Sequence, residues 1–415
     1  MKVIFAFCIG LSVQTTTLFA GQTEIELITS PATANSSLSR VVADRKGRLY
    51  LSWVSQDGQM LSLNYSRLDK GNWSPPEVIS TGDDWFKNWA DFPFLSVNGD
   101  NMTALWLRKS AKGTYDYNVE ASFYNPKEQR WGKAIKIHKD EISAEHGFVS
   151  MLPMNDDRTL ITWLDGRETR GGYQAADGSQ GKQDVAGAMT IRAGVFSQHG
   201  DTISEWVLDG SVCDCCQTSS AMSSLGPLVV YRNRTEDEIR DIYITRFIDG
   251  AWTAPAAIHN DDWKIAGCPV NGPSIAARGS QVAVAWFTAV DDIPQVKLAI
   301  STDNGASFSA PVMVADQNTV GRVGATILES GIIVVSWMGD ATNKAKLMLS
   351  LYSPEGALLE HTKVAQSNAS RRSGFPIIES IGNDVYVTWT DIEEQNQVKV
   401  AKVRYAAEPK HSGSE

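Results

Sequence analysis

The segment Val282-Ala-Val-Ala-Trp286 is one of seven similar segments in this chain of 415 residues. Each segment is a short run of mostly apolar residues that ends in an aromatic residue and precedes a polar turn. The seven aromatic residues are Trp53, Trp106, Trp163, Tyr231, Trp286, Trp337 and Trp389. They recur with a period of about 50 residues, which is typical of a repeat architecture.

Each repeat contains more than this strand. An apolar stretch with a tight turn precedes it, as in Leu95-Ser-Val-Asn-Gly-Asp-Asn101. Two further strands follow it, as in Val296-Lys-Leu-Ala-Ile300 and Pro311-Val-Met-Val-Ala315. Four short strands per repeat, without helical periodicity, predict an all-β fold: a β-propeller with seven four-stranded antiparallel blades. We expect the recurring aromatic residue to pack between neighbouring blades.

The two ends of the chain predict how the ring closes. The last repeat, from about residue 373, has no fourth strand, whereas Thr23-Glu-Ile-Glu-Leu-Ile28 precedes the first repeat and resembles one. We expect this N-terminal strand to complete the last blade, which removes exposed sheet edges. The predicted organisation is a signal peptide over residues 1–20, one propeller domain over 21–407 and a loose tail over 408–415.

The first twenty residues have the features of a secretory signal: Lys2, an apolar run of about eleven residues, and a cleavage site after Ala20. No later segment has the roughly 18 apolar residues that a membrane-spanning helix needs. The net charge of -10 argues against nucleic-acid binding, which requires a basic surface. We therefore expect an exported protein, periplasmic or secreted, with no membrane span and no nucleic-acid partner.

Four cysteines follow the signal segment, and all fall in loops that join one blade to the next. Cys213, Cys215 and Cys216 precede the fourth blade, and Cys268 precedes the fifth. Two structural disulfides are one interpretation for an oxidising compartment. The alternatives are a soft-metal site for copper or zinc, with His146 as a further ligand, and one disulfide beside a reactive thiol pair.

Several arginines fall on the face that carries these loops. Arg40 and Arg322 lie at inner strands, Arg232 follows a second strand, and Asp57 lies in the same kind of loop as Arg232. A guanidinium group binds a carboxylate through two parallel hydrogen bonds. We therefore treat these four residues as candidate catalytic residues, with a small anionic ligand as the partner. The alternative is that each arginine pairs with an acidic residue on a solvated loop.

The segment Ser301-Thr-Asp-Asn-Gly-Ala-Ser-Phe308 matches the Asp-box pattern Ser-x-Asp-x-Gly-x-x-Phe/Trp. In such a turn Asp303 accepts backbone N–H bonds, Gly305 takes a positive φ and Phe308 packs beneath. The chain therefore resembles the sialidase (neuraminidase) superfamily. Members of this superfamily have six blades, which makes six the alternative blade count. The resemblance also places Arg40 at the position of an arginine that binds the substrate carboxylate.

The resemblance implies a glycan-directed exo-glycosidase of the exo-α-sialidase type, or a glycan-binding protein, acting at the propeller mouth. It also implies a tyrosine nucleophile paired with a glutamate, and an aspartate acid/base, which the sequence alone does not locate. The cysteines indicate a different function, a non-hydrolytic propeller with a soft-metal or redox site. A scaffold for a protein partner is the third alternative, because propellers serve many functions on one fold.

Overall fold

The computed structural model describes residues 23–154, 157–169, 187–339, 344–392 and 395–405. The predicted signal peptide and C-terminal tail lie outside these residues. The described residues form 31 strands arranged as seven antiparallel sheets. No helix within these ranges has the length and apolarity that crossing a bilayer requires.

The chain begins with β1 (Glu24–Ile28). Blade 1 contains β2 (Ser36–Ala43), β3 (Leu49–Asp57), β4 (Met60–Asp69), β5 (Asn72–Trp73) and β6 (Glu77–Gly82). Blade 2 contains β7 (Phe94–Asn98), β8 (Asn101–Lys109), β9 (Tyr117–Asn125), β10 (Arg130–Trp131) and β11 (Ile135–Lys136). Blade 3 contains β12 (His146–Pro153), β13 (Thr159–Asp165), β14 (Thr190–Phe196) and β15 (Thr202–Asp209).

Blade 4 contains β16 (Ser219–Met222), β17 (Pro227–Arg232), β18 (Ile242–Ile248), β19 (Ala251–Trp252) and β20 (Ala256–Ala257). Blade 5 contains β21 (Ser274–Arg278), β22 (Gln281–Thr288), β23 (Gln295–Ser301) and β24 (Val312–Asp316). Blade 6 contains β25 (Thr319–Ile327), β26 (Ile333–Gly339), β27 (Lys344–Tyr352) and β28 (Leu358–Asn368). Blade 7 contains β29 (Ile377–Ile381), β30 (Asp384–Ile392) and β31 (Asn396–Arg404).

The N-terminal strand completes the seventh blade. β1 pairs antiparallel with β31, from Glu24 opposite Arg404 to Ile28 opposite Val400, and the sheet has the order β1-β31-β30-β29. The predicted closure and the seven blades are therefore confirmed, and the alternative of six blades is wrong.

The recurring aromatic residues pack between blades, as predicted. Trp106 of blade 2 is buried in one apolar cluster with Val54 and Leu61 of blade 1, and Trp389 of blade 7 is buried in one with Leu349 of blade 6. A four-stranded blade has two apolar faces, so each face needs a neighbouring blade to cover it. The interfaces between blades therefore form the core.

The Asp-box turn joins β23 to β24, the third and fourth strands of blade 5. The Asp303 carboxylate accepts hydrogen bonds from the Ser307 N–H, at 2.9 Å, and from the Ser301 hydroxyl. Gly305 has a φ of +74°, which favours glycine, and Phe308 packs against the core. This turn lies at the end of the ring opposite the loops that carry the cysteines.

The inner strands of all seven blades surround a central cavity of about 460 Å³. One end of this channel carries the loops that lead into each inner strand and the loops between the second and third strands. Isolated bridges join these two kinds of loop, as between Val212 and Asn233 and between Ile239 and Lys264. We call this end the mouth. It holds the predicted functional loops of blades 2 to 5.

Candidate functional site

The loop that carries Cys213, Cys215 and Cys216 joins blade 3 to blade 4 at the mouth, and we call it the cysteine loop. Cys215 forms a disulfide with Cys268, with the two Cα atoms 6.0 Å apart. Cys213 and Cys216 are buried free thiols whose sulfur atoms lie 3.1 Å apart. The arrangement is one disulfide beside a thiol pair, which was the third alternative, and it differs from the expectation of two disulfides.

The two thiols are not equivalent. Arg240 Nη1 donates to Cys213 Sγ at 3.4 Å, and Glu238 holds the same guanidinium group at 2.7 Å. The hydrogen bond from the Cys216 thiol lowers the pKa of Cys213 to about 6, and nearby guanidinium charges act in the same direction. Burial raises the pKa of Cys216 well above its usual value. The geometry therefore favours a thiolate at Cys213.

His146 belongs to a different cluster. Its ring stacks on that of His138, with centroids 3.8 Å apart, and its Nε2 lies 3.3 Å from Asp140 Oδ2. These three residues place one ligand atom each within 4.8 Å of the others. His146 thus groups with His138 and Asp140, and not with the sulfur atoms as we expected. A second group with ligand atoms this close together consists of Cys213, Cys215 and Cys216. Because Cys215 is in a disulfide, the thiols of this group are those of Cys213 and Cys216.

Two carboxyl groups and one phenol share hydrogen bonds beside the cysteine loop. Tyr117 Oη lies 2.8 Å from Asp91 Oδ2 and 2.9 Å from Glu145 Oε1. A phenol carries a single proton, so one carboxyl group must be protonated for both hydrogen bonds to form. Burial raises the pKa of Asp91 to about 7, and burial together with neighbouring negative charges raises that of Glu145 to about 8. We call these three residues the acidic triad.

The acidic triad is assembled from three separate loops and strands. Asp91 lies in the loop before β7, Tyr117 begins β9, and Glu145 immediately precedes β12. The Phe148 N–H donates to Asp91 Oδ1 at 2.7 Å, and the carboxylate packs so closely on Gly147 that a Cβ there would overlap it. The inner strand of blade 3 therefore holds Asp91 in place.

Only part of the triad is accessible. Tyr117 is fully buried and stacks on Phe86 with centroids 4.3 Å apart, and Asp91 is 2% exposed. Glu145 is half-buried. It lies close to Asp214, whose side chain is 33% exposed and which accepts a hydrogen bond from Arg234 at 3.2 Å. The mouth thus presents two reachable carboxyl groups in different environments.

Arg232 and Arg322, two of the predicted site residues, hold the loops together. Arg232 donates to the carbonyls of three residues: Arg240, Asn271 and Phe287. Arg322 donates to the Ser373 hydroxyl and to three further carbonyls in the loop before β29. Both guanidinium groups are buried against the chain itself, and the structure gives them a positioning role at the mouth.

Arg40 and Asp57 lie apart from the acidic triad. Arg40 points into the central channel with its guanidinium carbon 3.0 Å from the centroid of the Phe94 ring. Burial lowers the pKa of Arg40 to about 9, whereas the negative charge of Glu379 acts to raise it. Asp57 is exposed at the tip of the hairpin between β3 and β4. The four predicted catalytic residues therefore do not converge on one point.

A basic and aromatic surface lies where the loop before β7, which also carries Asp91, meets the loop before β29. Trp89 stacks on Phe375 with centroids 5.7 Å apart, and the Arg371 guanidinium group lies 5.8 Å from the Trp89 ring. Arg371 and Arg372 are exposed, and desolvation with the charge of Arg372 lowers the pKa of Lys87. We call Lys87, Trp89, Arg371 and Arg372 the basic platform.

No protein-family profile and no curated protein matches the chain in sequence. Among solved structures it is similar to a GH93 α-L-arabinofuranosidase of Fusarium graminearum complexed with arabinobiose. That match has 10% identity and a TM-score of 0.50, and covers 90% of this chain and 98% of that one. For NanB sialidase from Streptococcus pneumoniae (K499G mutant) the identity is 10% and the TM-score 0.46, with coverage of 92% and 94%. The chain folds as a seven-bladed β-propeller.

The propeller contains a tyrosine hydrogen-bonded to a glutamate, Tyr117 and Glu145, which the sequence did not locate. Tyr117 and Glu145 are separated by 28 positions in the chain, and neither residue lies in a recognisable motif. Glu145 does fall in the predicted mouth loop before β12, and Asp91 falls in the one before β7. Because Tyr117 is buried beneath Phe86, its hydroxyl can orient the two carboxyl groups but cannot reach a sugar at the surface.

Proposed function

We propose that this sialidase-like propeller is a glycan-directed hydrolase that binds an anionic sugar at its mouth and uses Glu145 as the general acid. The observation that carries the proposal is the Tyr117 hydroxyl held between the carboxyl groups of Asp91 and Glu145. The structural neighbour from Fusarium graminearum is complexed with arabinobiose. That this chain also binds a sugar is part of our proposal.

The acid step follows from the electrostatics of the triad. The raised pKa keeps Glu145 protonated at neutral pH, so that it can donate its proton to the glycosidic oxygen as the C–O bond breaks. Tyr117 orients this carboxyl group and also bonds to Asp91. Asp214, held by Arg234, accepts a proton from the water that attacks the sugar. Two carboxyl groups in contrasting environments are what glycoside hydrolysis requires.

Replacing Glu145 tests this assignment. A panel of polysaccharides and aryl glycosides with acidic sugars identifies the substrate, and Glu145→Gln is expected to lower kcat/KM at least about 100-fold. Glu355→Gln, in the exposed turn between β27 and β28, is the matched control and should keep full activity. The proposal fails if the wild-type protein cleaves no glycan in the panel, or if Glu145→Gln cleaves it at the wild-type rate.

The basic platform is expected to determine the charge of the sugar. Because charge-assisted hydrogen bonds to a carboxylate or sulfate are lost, Arg371→Ala/Arg372→Ala should weaken binding of an acidic oligosaccharide about tenfold or more. Isothermal titration measures this, and binding of a neutral oligosaccharide should not change. Lys127→Ala/Arg130→Ala, in the hairpin formed by β9 and β10 at the other end of the ring, removes the same charge as a control. Equal losses in both variants would contradict a specific role of the platform.

A further inference from the structure

We propose that Cys213 and Cys216 form a redox-active dithiol, which a hydroperoxide oxidises to an intramolecular disulfide. This inference does not depend on the glycan proposal. Its basis is the 3.1 Å separation of the two sulfur atoms in a four-residue loop that the Cys215–Cys268 disulfide anchors to the next blade. A disulfide has a bond of about 2.05 Å, so a shift of roughly 1 Å in the loop suffices to form it.

The surroundings of the two thiols assign them different roles. The Arg240 guanidinium group donates to Cys213 Sγ and is itself 4% exposed in its side chain, so this charge is directed at the sulfur. The Cys216 sulfur faces that of Cys213, and burial raises the pKa of the Cys216 thiol well above its usual value. Cys213 is therefore the attacking thiolate and Cys216 the thiol that resolves the intermediate.

Burial determines which oxidant can react. Cys213 is 1% exposed and Cys216 is 2% exposed. A protein disulfide needs an exposed sulfur to form a mixed disulfide, whereas hydrogen peroxide is hardly larger than water. The structure therefore favours a small hydroperoxide as the oxidant.

The chemistry balances in two steps. The Cys213 thiolate attacks one peroxide oxygen, the O–O bond breaks, and hydroxide leaves and takes up a proton to give water. The sulfur of the Cys216 thiol then attacks the sulfur of the Cys213 sulfenic acid, the S–O bond breaks, and the leaving hydroxide takes up the proton that the Cys216 thiol loses, which gives a second water. Two thiols and one peroxide become one disulfide and two waters. Glu145, which lies near Cys213, is a proton source for the first leaving group.

The arrangement of the neighbouring residues argues against a metal ion bound to the sulfur atoms of Cys213 and Cys216. A structural zinc site uses four ligands, and among the described cysteines the disulfide removes Cys215 and Cys268. The guanidinium group of Arg240 also faces Cys213, where it favours a bare thiolate over a cation. A bound copper or zinc ion is nevertheless a measurable outcome of the test.

Peptide mapping of the full chain tests the inference. Protein reduced at the thiol pair is treated with one equivalent of hydrogen peroxide, and we expect a Cys213–Cys216 disulfide while the Cys215–Cys268 disulfide is unchanged. Cys216→Ser should instead accumulate a sulfenic acid at residue 213 that dimedone labels, and Cys213→Ser should give no label. After the oxidised wild-type protein is unfolded in urea, dithiothreitol should restore the thiols of Cys213 and Cys216.

Three results would overturn the proposal. They are a Cys213 that remains a thiol after peroxide treatment, an oxidised Cys213 that dithiothreitol does not reduce even after the protein is unfolded in urea, and stoichiometric copper or zinc in the purified chain. Wild-type mapping decides between these results even if a cysteine variant fails to fold.

Discussion

Replacing Arg232 with alanine is expected to lower the free energy of unfolding by about 3–5 kcal/mol, a loss typical of breaking a buried charged network. Arg232 is 2% exposed and donates to the carbonyls of Arg240, Asn271 and Phe287. These carbonyls belong to blade 4, to the loop before blade 5, and to blade 5 itself. Without the Arg232 guanidinium group these buried carbonyl oxygens lose their hydrogen-bond donor, and each unpaired oxygen costs about 1–3 kcal/mol.

Urea denaturation followed by tryptophan fluorescence measures this loss. Arg232→Lys keeps the charge but lacks the planar group that reaches several carbonyls, so it should recover only part of the stability. Arg130→Ala, whose side chain is 75% exposed, should change the free energy of unfolding by less than about 1 kcal/mol. An Arg232→Ala protein as stable as Arg130→Ala would show that Arg232 does not clamp the two blades.

The acidic triad is expected to make stability fall as the pH rises from about 5 to 8. In the unfolded chain Asp91 and Glu145 have ordinary pKa values near 4, whereas in the folded protein burial raises them to about 7 and about 8. The folded state therefore binds more protons over this range. The contribution of each group is fully present below pH 4 and is lost as the pH rises through its folded pKa, at up to about 1.4 kcal/mol per pH unit.

Variants that lack the two carboxyl groups separate their contribution to the pH dependence of stability from that of other titrating groups. Urea denaturation at several pH values between 5 and 8.5 gives the slope for the wild-type protein, and Asp91→Asn/Glu145→Gln should have a smaller one. Glu355→Gln, exposed at the other end of the ring, should keep the wild-type slope. Equal slopes in all three proteins would mean that the two carboxyl groups are not protonated in the folded state.

The repeat made the architecture predictable. An apolar strand that ends in an aromatic residue recurs seven times, and a blade with two apolar faces needs neighbours on both sides. The same repeat assigned loops to the mouth, so it correctly brought Cys215 and Cys268 together although they are 53 positions apart. The closing strand was predictable because the last repeat lacks one strand and the N-terminal segment supplies it.

The candidate site was much less predictable. The sequence suggested Arg40, Arg232 and Arg322 as ligands for an anion, since guanidinium groups commonly bind carboxylates. In the structure Arg40 lies over Phe94 in the channel, and the other two donate to the chain itself. A loop assignment places a Cα near the mouth, but it does not determine where a long side chain points.

The sequence by itself thus determined the ring, its closure and the loops that share the mouth, because these follow from strand period and blade stacking. Only the tertiary structure determined which side chains meet. Asp91, Tyr117 and Glu145 come from separate loops and strands, and their contacts depend on how blade 3 packs against blade 2. Their raised pKa values depend on burial, which is a property of the packed protein and not of residue type.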